Sequence, residues 1–90
     1  MRVDQFLSNA GCIPRRTQAK QACDEGLVEV DGNVARPATS VQVGQRITIK
    51  TGMRIRQYRI LQLPDRPVPR KRRDEYSDLL NSQRIDEVES

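Results

Sequence analysis

The hydrophobic period of this chain changes once, sharply, at Gly26, and that change limits what the chain can fold into. In "MRVDQFLSNAG", Val3, Phe6, Leu7 and Ala10 recur at i, i+3, i+4, i+7, which predicts a short amphipathic helix that Gly11 is placed to stop. Pro14 separates it from a second helix whose buried stripe is Ala19, Ala22 and Cys23 and which ends at Gly26. Alanines on a buried face let two helices approach closely, so these two are expected to cross with little space between them. From Leu27 the period is two: "LVEVDGNVARP" puts Val28 and Val30 on one side and Glu29 on the other. Asp31-Gly32 is the pair favoured by a type I′ hairpin turn, with a return at Val34. Gly44 and Gly52 mark two further turns, around "RITIK" with Ile47 and Ile49 inward, and before "MRIRQYRILQL". The reading is an α+β domain: two N-terminal helices packed on a small, mostly antiparallel sheet, followed by a flexible charged C-terminal tail.

Charge divides the chain into three parts. Residues 1–50 carry seven Lys/Arg against five Asp/Glu, a mildly basic body. Residues 51–73 carry eight against one, and residues 74–90 reverse the sign with Arg84 against six acids. A basic belt of that density predicts a polyanionic partner. Beyond Leu63, "PDRPVPRKRR" has three prolines and no periodicity and reads as an extended linker. "DEYSDLLNSQRI" reads as a possible short helix at 74–85 with Tyr76, Leu79 and Leu80 as its apolar contacts. The domain is therefore placed at residues 1–63 and the linker and tail at 64–90.

Several function classes fit poorly. Only 36% of the 90 residues are hydrophobic, there is no Trp, and a core of that size leaves little room for a deep substrate cavity. There is no His, no Gly-rich phosphate loop and no carboxylate pair on one face, so no catalytic residues, metal ligands or cofactor site are assigned. Cys12 and Cys23 fit neither a metal nor a redox spacing and read as reduced thiols in a cytoplasmic protein. No apolar run approaches the length of a membrane span, so no membrane partner is expected.

The candidate binding residues cluster at the start of the second helix. A helix N-terminus offers unpaired N–H groups and positive potential, a seat for a phosphate. Arg15, Arg16, Thr17 and Lys20 surround that seat, and Arg2 joins them if the helices cross as the alanines imply. Arginine forks grip phosphate bidentately and stack on bases. The competing reading for Arg2 is an ion pair with Asp4 or Asp24, and for Lys20 one with Asp24 a turn away. A second candidate surface is "MRIRQYRI", where a strand would set Arg54, Arg56 and Tyr58 on one face. With three aromatic side chains in the chain, stacking is a minor contribution, and the expected mode is backbone and shape recognition of folded RNA.

These residues carry a resemblance. The ordered segments "MRVDQFL", "RRTQAK", "DEG", "VDGN" and "VGQRITI" resemble the RNA-binding domain named after ribosomal protein S-four, also called the αL motif. More narrowly, they are similar to its single-domain branch of bacterial ribosome-associated quality-control and heat-shock ribosome-recycling proteins. The resemblance covers residues 1 to about 63; Arg15 departs from it, standing where the wider family often has a Ser cap. It implies a monomeric, non-catalytic protein that binds large-subunit rRNA on obstructed subunits. There it would stabilise peptidyl-tRNA while an RqcH-type factor adds alanine tails without a template. Heat-shock recycling of the same stalled subunits is the alternative it leaves open. A protein-binding adaptor using the acidic tail is the alternative from another class.

Overall fold

The computed structural model describes residues 1–84; the acidic Asp86, Glu87 and Glu89 of the expected tail lie outside the described residues. Helix α1 spans Val3–Asn9 and α2 spans Arg16–Asp24. Strands follow at Val28–Val30 (β1), Asn33–Val34 (β2), Arg46–Thr51 (β3), Arg54–Ile60 (β4) and Ser77–Arg84 (β5), with a 3-10 turn at Arg70–Glu75 before the last. All five strands pair antiparallel in the order β2-β1-β3-β4-β5.

The expected apolar positions form the core. Val3, Phe6, Leu7, Ala19, Val28, Ile47, Ile49 and Ile60 have no exposed surface, and Ala10, Ala22, Cys23 and Val30 are nearly as buried. Both helices share one core with β1 and β3, whose inward residues pair directly, Val28 with Ile49 and Val30 with Ile47. The hairpin turns where expected, with Asp31 at φ 50 and Gly32 at φ 84, the two positive values a type I′ turn requires. Burial also accounts for the thiols: Cys12 and Cys23 are free and buried, and desolvation pushes each up to about 11, which keeps them protonated and unreactive near neutral pH.

The loop between β2 and β3 holds the chain's beginning. Val3 N–H donates to the Thr39 carbonyl at 2.8 Å, Val41 N–H to the Met1 carbonyl at 2.8 Å, and Arg2 bridges Ser40 as a short antiparallel pair. Met1 to Val3 are thus pinned as an extended segment leading into α1, and this fixes where Arg2 and Asp4 sit.

Residues 64–84 fold back onto the body. Asn9 Nδ2 donates to the Pro64 carbonyl at 3.0 Å, and Val68 N–H donates to the Asn9 carbonyl at 2.8 Å. The possible helix at 74–85 is corrected: Arg70–Glu75 is a 3-10 turn, and Ser77–Arg84 is a strand that pairs along the whole of β4. Ser, Asp and Asn compete with a helical backbone, while β4 without β5 would present an open row of N–H and C=O groups. Pairing with that edge outweighs a weak helical preference. The adjacent Leu79 and Leu80 are accommodated by a register shift opposite Gln57 and Tyr58.

The turn also explains Gly11, which closes α1 at φ +81, a conformation strained for any residue with a Cβ. A Cβ there would also run into the Arg73 guanidinium. Gly11→Ala is expected to destabilise the fold by about 1–2 kcal/mol, read from urea unfolding midpoints at unchanged m-value.

Candidate nucleic-acid interface

Asp4 organises the arginine cluster. Its side chain is 2% exposed, and Arg2 grips it bidentately, Nε to Oδ1 at 3.1 Å and Nη2 to Oδ2 at 3.0 Å. Arg16 reaches the same carboxylate from α2, Nη2 to Oδ1 at 3.7 Å. One buried acid therefore holds two guanidiniums from two helices side by side, each about half exposed. The ion-pair reading of Arg2 is met, with Asp4 as the partner, and about half of the Arg2 side chain stays exposed. A carboxylate between two arginines neutralises one charge, and the exposed half of each fork still faces outward.

The start of α2 lies beside this pair. Arg15 is the N-cap residue, extended at φ −125, and makes no side-chain capping bond. Thr17, which could have supplied a cap, does not. Ala19 N–H bonds the Arg15 carbonyl at 3.0 Å, and the N–H groups ahead of it lack intrahelical partners. Arg15, Arg16, Thr17 and Lys20 are all exposed. Among the described residues Lys20 forms no ion pair with Asp24 or any other acid, so its competing reading is not met.

Arg54 and Arg56 stand apart from that cluster, on the inward face of β4, where Arg56 lines a recess shared with Gln18 and Ala22 of α2. Arg54 donates to Ser82 Oγ across to β5 at 3.2 Å. Arg56 donates to Tyr58 Oη and to Thr51 Oγ1, each at 3.3 Å, with its guanidinium carbon 6.0 Å from the Tyr58 ring centre. Tyr58 packs against the core edge, and burial raises its pKa above the usual phenol value. Its ring thus serves packing and supports Arg56 at once.

One member of this surface escaped the sequence reading. Arg73, in the basic belt, is carried by the 3-10 turn onto Gly11, in the loop that connects the two helices. The dense run of charge was visible; its docking place depends on β5 pairing, which no local pattern signals. Among the described residues no three His, Cys, Asp or Glu side chains converge as a metal site, and no helix is long and apolar enough to cross a membrane.

An arginine mouth at the crossing of two short helices, backed by an antiparallel sheet, defines a domain of the αL type, and residues 1–47 match the S4 domain. An RQC P-site tRNA stabilizing factor from Helicobacter pylori is 39% identical over 72 residues, covering 79% of this chain and 86% of the relative. One from Listeria innocua is 32% identical over 87 residues, 97% of this chain and 94% of the relative. The chain belongs to the S4 domain family and, within it, to the family of the RQC P-site tRNA stabilizing factors. Heat Shock Protein 15 of Vibrio cholerae, solved as a trimer, has the same fold, with a TM-score of 0.82 at 24% identity over 88% of this chain and 80% of that one.

Proposed function

We propose that this protein is a cytoplasmic, non-catalytic factor of ribosome-associated quality control. It binds the RNA of obstructed large subunits and steadies the peptidyl-tRNA they hold during template-free alanine tailing by an RqcH-type partner. The observation that carries this reading is the pair Arg2 and Arg16, held together by buried Asp4 beside an uncapped helix start. The fixed fork of Arg2, the Arg16 fork beside it and free N–H groups form a receptor for RNA phosphates, and the part that is preorganised spares ordering cost on binding. The relatives' name, P-site tRNA stabilizing factor, supports tRNA as the RNA that is steadied. The likeness to Heat Shock Protein 15 is one of fold and does not favour the recycling role.

The test is sedimentation of a tagged copy with ribosomal particles from cells in which translation stalls. Large subunits carrying peptidyl-tRNA and an alanine-tailing factor are expected in the same fraction. Binding to empty subunits as strong as to those with peptidyl-tRNA would overturn the tRNA role. Capture that persists at high salt and depends on Leu79 and Leu80 would favour a protein adaptor instead.

A further inference from the structure

Arg56 lines a recess that the arginine pair of the helices does not line, and Arg73 lies against Gly11 in the loop that forms one of its walls. A cavity of about 260 Å³ opens between α2 and the β3–β4 hairpin, lined by Ile13, Pro14, Gln18, Ala22, Thr51 and Arg56. Ile13, Pro14 and Ala22 give it apolar walls, while Gln18, Thr51 and Arg56 set polar groups at its rim. Arg73 lies against Gly11, two residues before Ile13 along the same loop. Both arginines lie near enough to Cys12 for their charge to favour its thiolate, though burial dominates and the thiol stays neutral.

Neither cation is neutralised: among the described residues no carboxylate lies within ion-pair distance of Arg56 or Arg73, whereas the neighbouring Arg72 is paired with Glu75. Arg56 is nevertheless fixed, by its bonds to Thr51 and Tyr58. Two unneutralised cations brought to one loop from distant parts of the chain, beside an apolar recess smaller than a drug-sized pocket, match a ligand with an anionic and a flat apolar part.

We propose that this recess is a second RNA site that takes one unpaired nucleotide. The base enters against Ile13, Pro14 and Ala22 with Gln18 at its polar edge, and Arg56 and Arg73 hold its flanking phosphates. A base can enter only when splayed from its stack, so the site selects single-stranded RNA over a duplex. The proposal rests on the RNA-binding reading above but uses different residues from the Arg2–Arg16 pair.

The test is an NMR titration of the full ¹⁵N-labelled chain with a short oligouridylate and, separately, a blunt RNA duplex of equal phosphate number. The oligonucleotide is expected to shift the resonances of Ile13, Gln18 and Thr51 and the Nε signals of Arg56 and Arg73; the duplex is expected to leave the recess unmoved. Arg73→Ala, at an exposed position, should keep the folded spectrum and weaken oligonucleotide binding on the order of tenfold. It should also reduce the salt slope by about 0.7. Arg73→Lys should restore the slope. If the oligonucleotide shifts only the Arg2–Arg16 region, or if Arg73→Ala binds with unchanged affinity and slope, the recess is not a nucleotide site. Sedimentation with subunits, measured in parallel on the parent chain, reports on the ribosomal reading separately, since that reading stands or falls without the recess.

Discussion

Arg16→Ala is expected to weaken binding to large subunits by at least about tenfold while leaving the domain folded. The side chain is half exposed, and its approach to Asp4 at 3.7 Å is too long for a strong hydrogen bond, so its loss changes stability by no more than about 0.5 kcal/mol. Its contribution to binding is larger, because a guanidinium beside free helix N–H groups adds a charge-assisted fork to any phosphate seated there. Arg16→Lys should recover only part of the affinity, since an ammonium lacks the planar fork. Arg2→Ala should behave differently. Arg2 makes both close side-chain bonds to Asp4, and removing it leaves a buried carboxylate with only the Gln5 N–H at 2.7 Å and the more distant Arg16. That variant should lose affinity and stability together. The measurement is subunit affinity across a salt series with unfolding followed in parallel: Arg16→Ala should flatten the slope of log K against log salt by about one unit. An Arg16→Ala chain that sediments with subunits as the parent does would remove the helix face from the binding site.

The contrast between Arg16 and Arg73 shows where the sequence was legible. Gly11, Gly26 and Asp31-Gly32 announce themselves, because a positive φ at a helix end or a tight turn admits few residue types. The stripe of Phe6, Leu7, Ala19, Ala22 and Cys23 is equally local, since period and burial coincide. Arg2 and Arg16 were legible as a pair through that stripe, which brings the two helices together. What holds Arg2 in place was not: the bonds from Val3 and Val41 join the first residues to the loop near Thr39, a contact between distant segments with no periodic sign. The same holds for β5. Nothing in "SDLLNSQR" alternates, and the strand exists because β4 offers it a ladder. Arg73 inherits its place from that pairing.

A chain ending at Leu63 is expected to lose on the order of 3 kcal/mol of stability as well as affinity. If residues 64–84 were a loose tether, deletion would cost only the phosphates it meets. Instead they cover the body. β5 pairs with β4 from Arg54 to Ile60, Tyr76 accepts bonds from Leu61 and Gln62 N–H at 2.9 and 3.3 Å, and Asn9, nearly buried, gives its side-chain amide to Pro64. Truncation returns each of these groups to water or leaves it unpaired, and it uncovers Cys12, which lies 3.9 Å from the buried Ser77. The net value of a backbone hydrogen bond is small, about 1 kcal/mol, but several are lost at once along one edge. Against a total stability of about 5–15 kcal/mol for a domain, that is a large share. Urea unfolding should show a lower midpoint, Cys12 should become accessible to alkylation, and β4 should become an open edge prone to self-association. A truncated chain with the parent's midpoint and a protected Cys12 would mean that β5 is dispensable, and that the belt acts on RNA only through its charge.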